Sequence, residues 1–482
     1  MALAAAFLGW LFDGFEMGLF PLIGRPALLD LLHGDAAGEA GTWFSVIIAT
    51  FLVGAATGGV LFGWLGDRIG RVRAMTLSIF TYAVFTGLCG FATEAWHIAA
   101  LRFIASLGMG GEWSLGVALV NELWPGRSRA WIAGAIGAAA NVGFLLVGLF
   151  SLVMLNWVEH WRGWALAMHV PEGVVESLFA HGGWRLLMIS GALPALLIFL
   201  IRLFVPESDK WEEVKAHGGA NHWRAAELGG VVLAGLAALV VTWAWSPLGL
   251  SPLPAGIVTL VGLVVIWKGF LHPVNGYLKR AGGSVDPTSA RRNLALGAVL
   301  AGVALLATWG SVQRGPYWAD QLTAGTSIQH AKEMTQIVIA IGAVIGSFLA
   351  PLVGDLIGRR PTYTLLCAGA LGATLGFFTL NDSYGTSFLA WAGLAGGLSA
   401  TFYGFFPLYF PELFPTSIRA TGQGFCFNVG RVLAAVGGLQ WATLMSLAGG
   451  DFSRAGSWMC MIYVVGMVVI WFGPETRGRG LQ

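Results

Sequence analysis

The chain has 482 residues, 56% of them hydrophobic and 11% charged, with a formal net charge of +2. Soluble domains carry about 25% charged residues, so this composition, with a mean hydropathy of +0.73, belongs in a bilayer. It argues against a nucleic-acid partner, since no basic cluster is interleaved with aromatics, and against a metal centre, since Cys89, Cys367, Cys426 and Cys460 stand singly in apolar segments.

Apolar runs of about 20 residues can cross the hydrocarbon core as helices. In chain order the sequence predicts fourteen: 3–32, 42–66, 72–93, 95–123, 130–157, 184–205, 227–246, 252–273, 293–314, 329–353, 361–381, 384–412, 417–447 and 453–473. The first lacks a basic leader and is too long for a signal peptide, so it reads as a spanning helix. Residues 158–183, with Trp161, Trp164, Glu159, Arg162 and Glu172, predict an excursion along the membrane surface. The pair at 227–273 carries few polar groups and reads as a peripheral hairpin against lipid.

Three motifs occur twice in the same order. Gly66-Asp67-Arg68-Ile69-Gly70-Arg71 returns as Gly354-Asp355-Leu356-Ile357-Gly358-Arg359. Glu122-Leu123-Trp124-Pro125 with Arg129 returns as Glu412-Leu413-Phe414-Pro415 with Arg419, and Pro206-Glu207-Ser208 as Pro474-Glu475-Thr476. Asp67 and Glu122 are 55 residues apart, Asp355 and Glu412 57. Such a repeat predicts an all-α integral membrane protein of two pseudo-symmetric six-helix bundles with two additional central helices. The expected divisions are 1–206, 207–292 and 293–482. Lys and Arg crowd the loops on the motif side, among them Arg68, Arg71, Arg73, Arg127, Arg129, Arg359, Arg360 and Arg477. That bias predicts an inner-membrane protein with its motifs and both termini in the cytoplasm.

These residues carry a resemblance. Gly63-x-x-x-Asp67-Arg68-x-Gly70-Arg71-x-Arg73 resembles the signature loop of the major facilitator superfamily, and the doubled pattern extends the likeness over the chain. Arg102 with Gly108-x-Gly110-Gly111-Glu112, and the Pro-Glu-Ser and Pro-Glu-Thr motifs, are similar to those of sugar porters. Asp13-Gly14-Phe15-Glu16 is similar to the D-G-x-D pattern of organic-acid proton symporters (the sialate/monocarboxylate, aromatic-acid and metabolite groups), with Glu16 in place of the second Asp. The resemblance implies two bundles around a midplane cavity, and a proton couple formed by Asp13 and Arg102.

A charged side chain at the centre of a spanning helix costs about 2.5–3.5 kcal/mol on insertion scales, so such residues face a cavity or a partner. Asp13, Glu16, Arg102 and Glu112 are the candidates for proton coupling; a fixed ion pair between the first and fourth helices is the alternative. Glu112 is either a second proton site or a partner for Arg102. In the second half Arg431 and Arg314 are candidates for holding a carboxylate through the guanidinium fork, unless Arg431 pairs with Glu412 and Arg314 sits in an interfacial aromatic belt. Arg25 reads like Arg314. Asn428, Gln313, Tyr317, Asn141 and Tyr403 are candidates for the rest of a pocket, with Trp10 and Trp309 as walls. Asp67, Arg71, Glu122, Arg129 and Glu207 in one half, and Asp355, Arg359, Glu412, Arg419 and Glu475 in the other, are expected to form a cytoplasmic latch that closes when the outside is open.

No nucleophile motif and no clustered metal ligands point to an enzyme. The expectation is a secondary active transporter, a proton symporter for a small organic anion, working as a monomer with the proton gradient in place of any cofactor. A sugar transporter is the second reading and a sensor without flux a remote third.

Overall fold

The computed structural model describes residues 2–32, 38–123, 129–193, 226, 228–280, 286–414 and 419–478, and it is helical throughout, with no strand among them. In the first half lie α1 (Ala2–Leu31), α2 (Ala40–Ile69), α3 (Arg71–Leu88), α4 (Ala95–Leu123) and α5 (Arg129–Asn156). The surface excursion follows as α6 (Val158–Ala167), none of whose residues is buried, and α7 (Glu172–Ser190). Residues 180–183 break α7 with non-helical backbone, at the point where the sequence predicts the excursion to end. Next come α8 (Leu228–Ala244) and α9 (Pro252–Arg280). The second half holds α10 (Pro287–Gly310), α11 (Gly315–Leu322), α12 (Ala331–Ile357), α13 (Arg359–Thr379), α14 (Thr386–Tyr409), α15 (Arg419–Leu439), α16 (Trp441–Leu447), α17 (Phe452–Cys460) and α18 (Ile462–Val469).

Ten stretches among the described residues are long and apolar enough to cross a membrane. All ten coincide with predicted spans; helices also stand at the predicted positions of α4, α8 and α15.

The doubled motif has a local cause. Its second glycine ends one helix and begins the next, at Gly70 (φ 111°) between α2 and α3 and at Gly358 (φ 97°) between α12 and α13. An L side chain strains in that left-handed region, so only glycine turns the chain this tightly at low cost. Asp286 opens α10 in another way: its carboxylate accepts from the backbone of Thr288 and Ser289, with Pro287 at the first helical position.

The two halves pack alike. α2 lies along α4 as α12 lies along α14, and α1 along α5 as α10 along α15. The halves meet at two seams, α2 against α15 and α5 against α12. Under the correspondence just given these are one contact made twice, as a two-fold repeat requires. Gly58 explains how closely α2 approaches α4: a β-carbon there would fall on the carbonyl of Leu107. The α8–α9 hairpin packs on α2 and touches α15 through Trp267 against Phe425, 5.6 Å between ring centres.

Candidate functional site

A cavity of about 890 Å³, its open mouth included, lies between the halves. α1, α2 and α5 supply Trp10, Asp13, Phe51, Asn141 and Phe144; the second half supplies Thr308, Trp309, Gln313, Ser399, Tyr403 and Arg431. Both predicted tryptophan walls are there. α10 stops at Gly310, and a single 3₁₀ turn, Val312–Arg314, carries the chain into α11. The break falls at Ser311, whose backbone is non-helical (φ −128°, ψ −71°), just before Gln313 and Arg314.

The charges of the first half do not pair as the resemblance implies. Arg102 Nη1 binds Glu16 Oε1 at 3.0 Å, and Thr86 Oγ1 donates to the same oxygen at 2.7 Å. Both members of the ion pair are fully buried, and the Arg102 guanidinium lies over the rings of Phe51 (4.7 Å) and Phe20 (5.4 Å). Asp13 neighbours Glu112 instead. The reason is antiparallel packing. α1 and α4 run in opposite senses, so the later residue of α1 meets the earlier residue of α4. Glu112 Oε1 lies where a β-carbon on Gly9 would sit, one turn before Asp13. No N–H or O–H donor among the described residues reaches either oxygen of Glu112 or Asp13 Oδ1. Asp13 lines the cavity; Glu16, Arg102 and Glu112 stand behind its wall.

Arg431 is on the opposite wall, 6% exposed. It donates to Asn428 Oδ1 at 3.0 Å and to the Ala55 carbonyl across the seam at 3.5 Å, and it lies over Phe427 at 4.8 Å. The expected alternative, a pair with Glu412, does not form. Asn428 orients Arg431 and packs on Gly59 rather than lining the cavity. Asn141 donates across the other seam to Ser347 Oγ at 3.1 Å.

Arg314 and Tyr317 lie beyond the cavity, at the face opposite the doubled motif. There the seam is closed. Arg25 binds Asp320 at 2.6 Å across the halves, Phe44 packs on Tyr317 at 5.2 Å, and Arg314 donates to Ser45 Oγ at 3.1 Å. The aromatic belt expected for Arg25 and Arg314 is thus a contact between bundles. Asp320 was not legible as a partner because 295 residues separate it from Arg25.

Of the motif cluster, the second-half members come together. Arg359 holds Glu412 through two nitrogens, at 2.9 and 2.7 Å, and Asp355 at 2.9 Å. Glu475 accepts the backbone N–H of Arg359 at 2.9 Å and of Arg360 at 3.1 Å. Burial alone would raise the Glu475 pKa, but the backbone N–H groups of Arg359, Arg360, Arg477 and Thr476 outweigh it and hold the carboxyl below its usual value. Every one of these partners belongs to the second half, and the cluster is formed while the opposite face is sealed. Among the described residues these contacts brace one bundle. Glu207 and the side chains of Asp67, Arg71, Glu122, Arg129 and Arg419 lie outside the described residues.

A two-bundle helical membrane protein with a central cavity between the bundles is the architecture of a major facilitator transporter. The chain belongs to the sugar (and other) transporter family, which matches residues 16–220 and 281–482 and leaves out the whole α8–α9 hairpin. It is 29% identical over 486 residues to a protein of Cupriavidus pinatubonensis named "Probable 4-methylmuconolactone transporter", covering 99% of this chain and 91% of that one. It is 26% identical over 442 residues to the "Cis,cis-muconate transport protein" of Acinetobacter baylyi, covering 90% and 85%. The fold is similar to that of the proton:xylose symporter XylE bound to 6-bromo-6-deoxy-D-glucose, with a TM-score of 0.64, 18% identity, and coverage of 100% of this chain and 97% of that one.

Proposed function

We propose that this transporter is a proton symporter for a small organic anion carrying a carboxylate. The observation that carries the reading is Arg431: a guanidinium buried in the cavity wall, held by an amide oxygen and a carbonyl, with no carboxylate at ion-pair distance among the described residues. A buried arginine fork with only neutral partners suits a carboxylate ligand. Relatives named for muconate and 4-methylmuconolactone transport support the substrate class.

Asp13 with Glu112 is the proposed proton site. Two carboxyl groups side by side repel each other when both are ionised, so the pair holds one proton between them and gives it up when water or a cation reaches Asp13 from the cavity. Glu16 and Arg102 form a fixed support next to it. The cycle runs by rocking about the cavity, with the Arg25–Asp320 seam open for loading and closed for release. The proton gradient is the energy source, and no cofactor takes part. We place the motif face in the cytoplasm of the inner membrane, with both termini there, on the Lys and Arg bias. We further read fourteen spanning helices in a monomer divided at 1–206, 207–292 and 293–482.

Transport of a neutral sugar is the second reading, supported by the amide and hydroxyl groups of Gln313, Asn141 and Tyr403 in the cavity wall. A thermal-shift screen of carboxylates against sugars separates the two. Carboxylates should raise the melting temperature of the wild type, and Arg431→Gln should lose that response. Stabilisation by sugars alone, retained in Arg431→Gln, would overturn the anion reading.

A further inference from the structure

Arg314 has the features of a binding group without a ligand. It is 3% exposed, yet among the described residues no carboxylate lies within ion-pair distance of it. Its Nε donates to the Gly310 carbonyl at 3.2 Å and its Nη2 to Ser45 Oγ at 3.1 Å. Trp441 lies 4.3 Å from the guanidinium carbon and Phe44 5.5 Å. Two of these contacts, Ser45 and Phe44, belong to the opposite half. They exist only while the outer seam is closed.

The seam has a regular order. Arg314, Tyr317 and Asp320 follow at intervals of three, one helical turn each, and meet Ser45, Phe44 and Arg25 in turn. Arg25 and Asp320 are about a quarter exposed, whereas Arg314 is buried beside Gln313, which lines the cavity. From outside to centre the arginines therefore come as Arg25, Arg314 and Arg431. Trp441, beside Arg314, is ten residues after Arg431, roughly 15 Å at the helical rise. One small anion does not span both.

We propose that Arg314 is an outer carboxylate station, distinct from the central site. When the seam opens, Ser45 and Phe44 withdraw with the first bundle. The freed fork binds the incoming carboxylate between the remaining Trp441 ring and the mouth of the cavity, then passes it inward to Arg431. Closure restores Ser45 to Arg314, so the station is empty when the cavity faces inward. The inference rests on the anion reading above, and it predicts an asymmetry that the reading alone does not.

The test measures KM from each side in oriented proteoliposomes with labelled acetate, benzoate and cis,cis-muconate. Arg314→Gln should raise the KM from outside about tenfold or more, as loss of a charge-assisted contact does, and leave the KM from inside unchanged. Arg431→Gln should raise both. Ser45→Ala, which removes the polar stand-in without touching the guanidinium, should lower the outside KM alone, and it decides the matter if Arg314→Gln does not fold. If Arg431→Gln raises both constants while Arg314→Gln and Ser45→Ala change neither, the outer station is wrong and the central anion site stands. If wild type moves none of the three anions, the anion reading falls and the station with it.

Discussion

Asp13 and Glu16 sit three positions apart on one helix, and that is enough to send them to different partners. A helix turns about 100° per residue, so the two carboxylates point some 60° apart and about 4.5 Å apart along the axis. Glu16 reaches Arg102 and Asp13 reaches Glu112. That all four would be buried beside a partner or a cavity was legible in the sequence, because a charge in an apolar run demands a reason. Their pairing was not, because it depends on the antiparallel register of α1 and α4, which no local pattern encodes. The Glu16–Arg102 pair makes a sharp prediction. Breaking a fully buried ion pair on one side costs about 3–5 kcal/mol, since the remaining charge is stranded. Glu16→Gln should therefore lower thermal stability strongly, whereas Glu16→Gln with Arg102→Met should recover most of it. Equal losses in the single and double variants would show that the pair contributes little.

At the scale of elements, two contacts that are readily confused have different jobs. The Arg25–Asp320 bridge joins α1 to α11 and so joins the halves; the Arg359–Glu412–Asp355 cluster joins α12, α13 and the end of α14 within one half. The first is partly exposed and worth about 0.2–1 kcal/mol, so its loss shifts the closed–open balance by no more than roughly fivefold. Asp320→Asn should raise the labelling rate of Cys placed at position 45 by an impermeant thiol reagent by up to that factor. A rate unchanged from the parent would remove the bridge from the seal. The cluster predicts an absence of pH response. Because Glu475 is held below its ordinary value of about 4.3, its contribution is complete above that value and is lost only as pH falls through the folded-state value. Between about pH 5 and 8 it does not titrate. Glu475→Gln should leave the midpoint of the uptake–pH curve in that range where it is in wild type, and a displaced midpoint would assign the titration to the cluster. The helices themselves were readable because each crossing needs an apolar run, and the doubled Gly70 and Gly358 because a left-handed turn needs glycine. The outer seam was not, since its partners are ordinary polar residues brought together only by the meeting of the bundles.

For the molecule as a whole, the repeat accounts for the frame and the departures from it account for the chemistry. α2–α15 and α5–α12 are the same seam twice, and the motif turns occur in both halves. Asp13 and Arg431 put an acid on one wall of the cavity, with Glu112 behind it, and a cation on the other. On the proposed reading, that division would let one bundle hold the proton and the other the anion. The most direct test uses proteoliposomes holding wild type or Asp13→Asn, with and without an inward proton gradient. The account predicts that the gradient drives wild type to accumulate a carboxylate, while Asp13→Asn exchanges it across the membrane without accumulation. Gradient-driven accumulation by Asp13→Asn equal to wild type would contradict it.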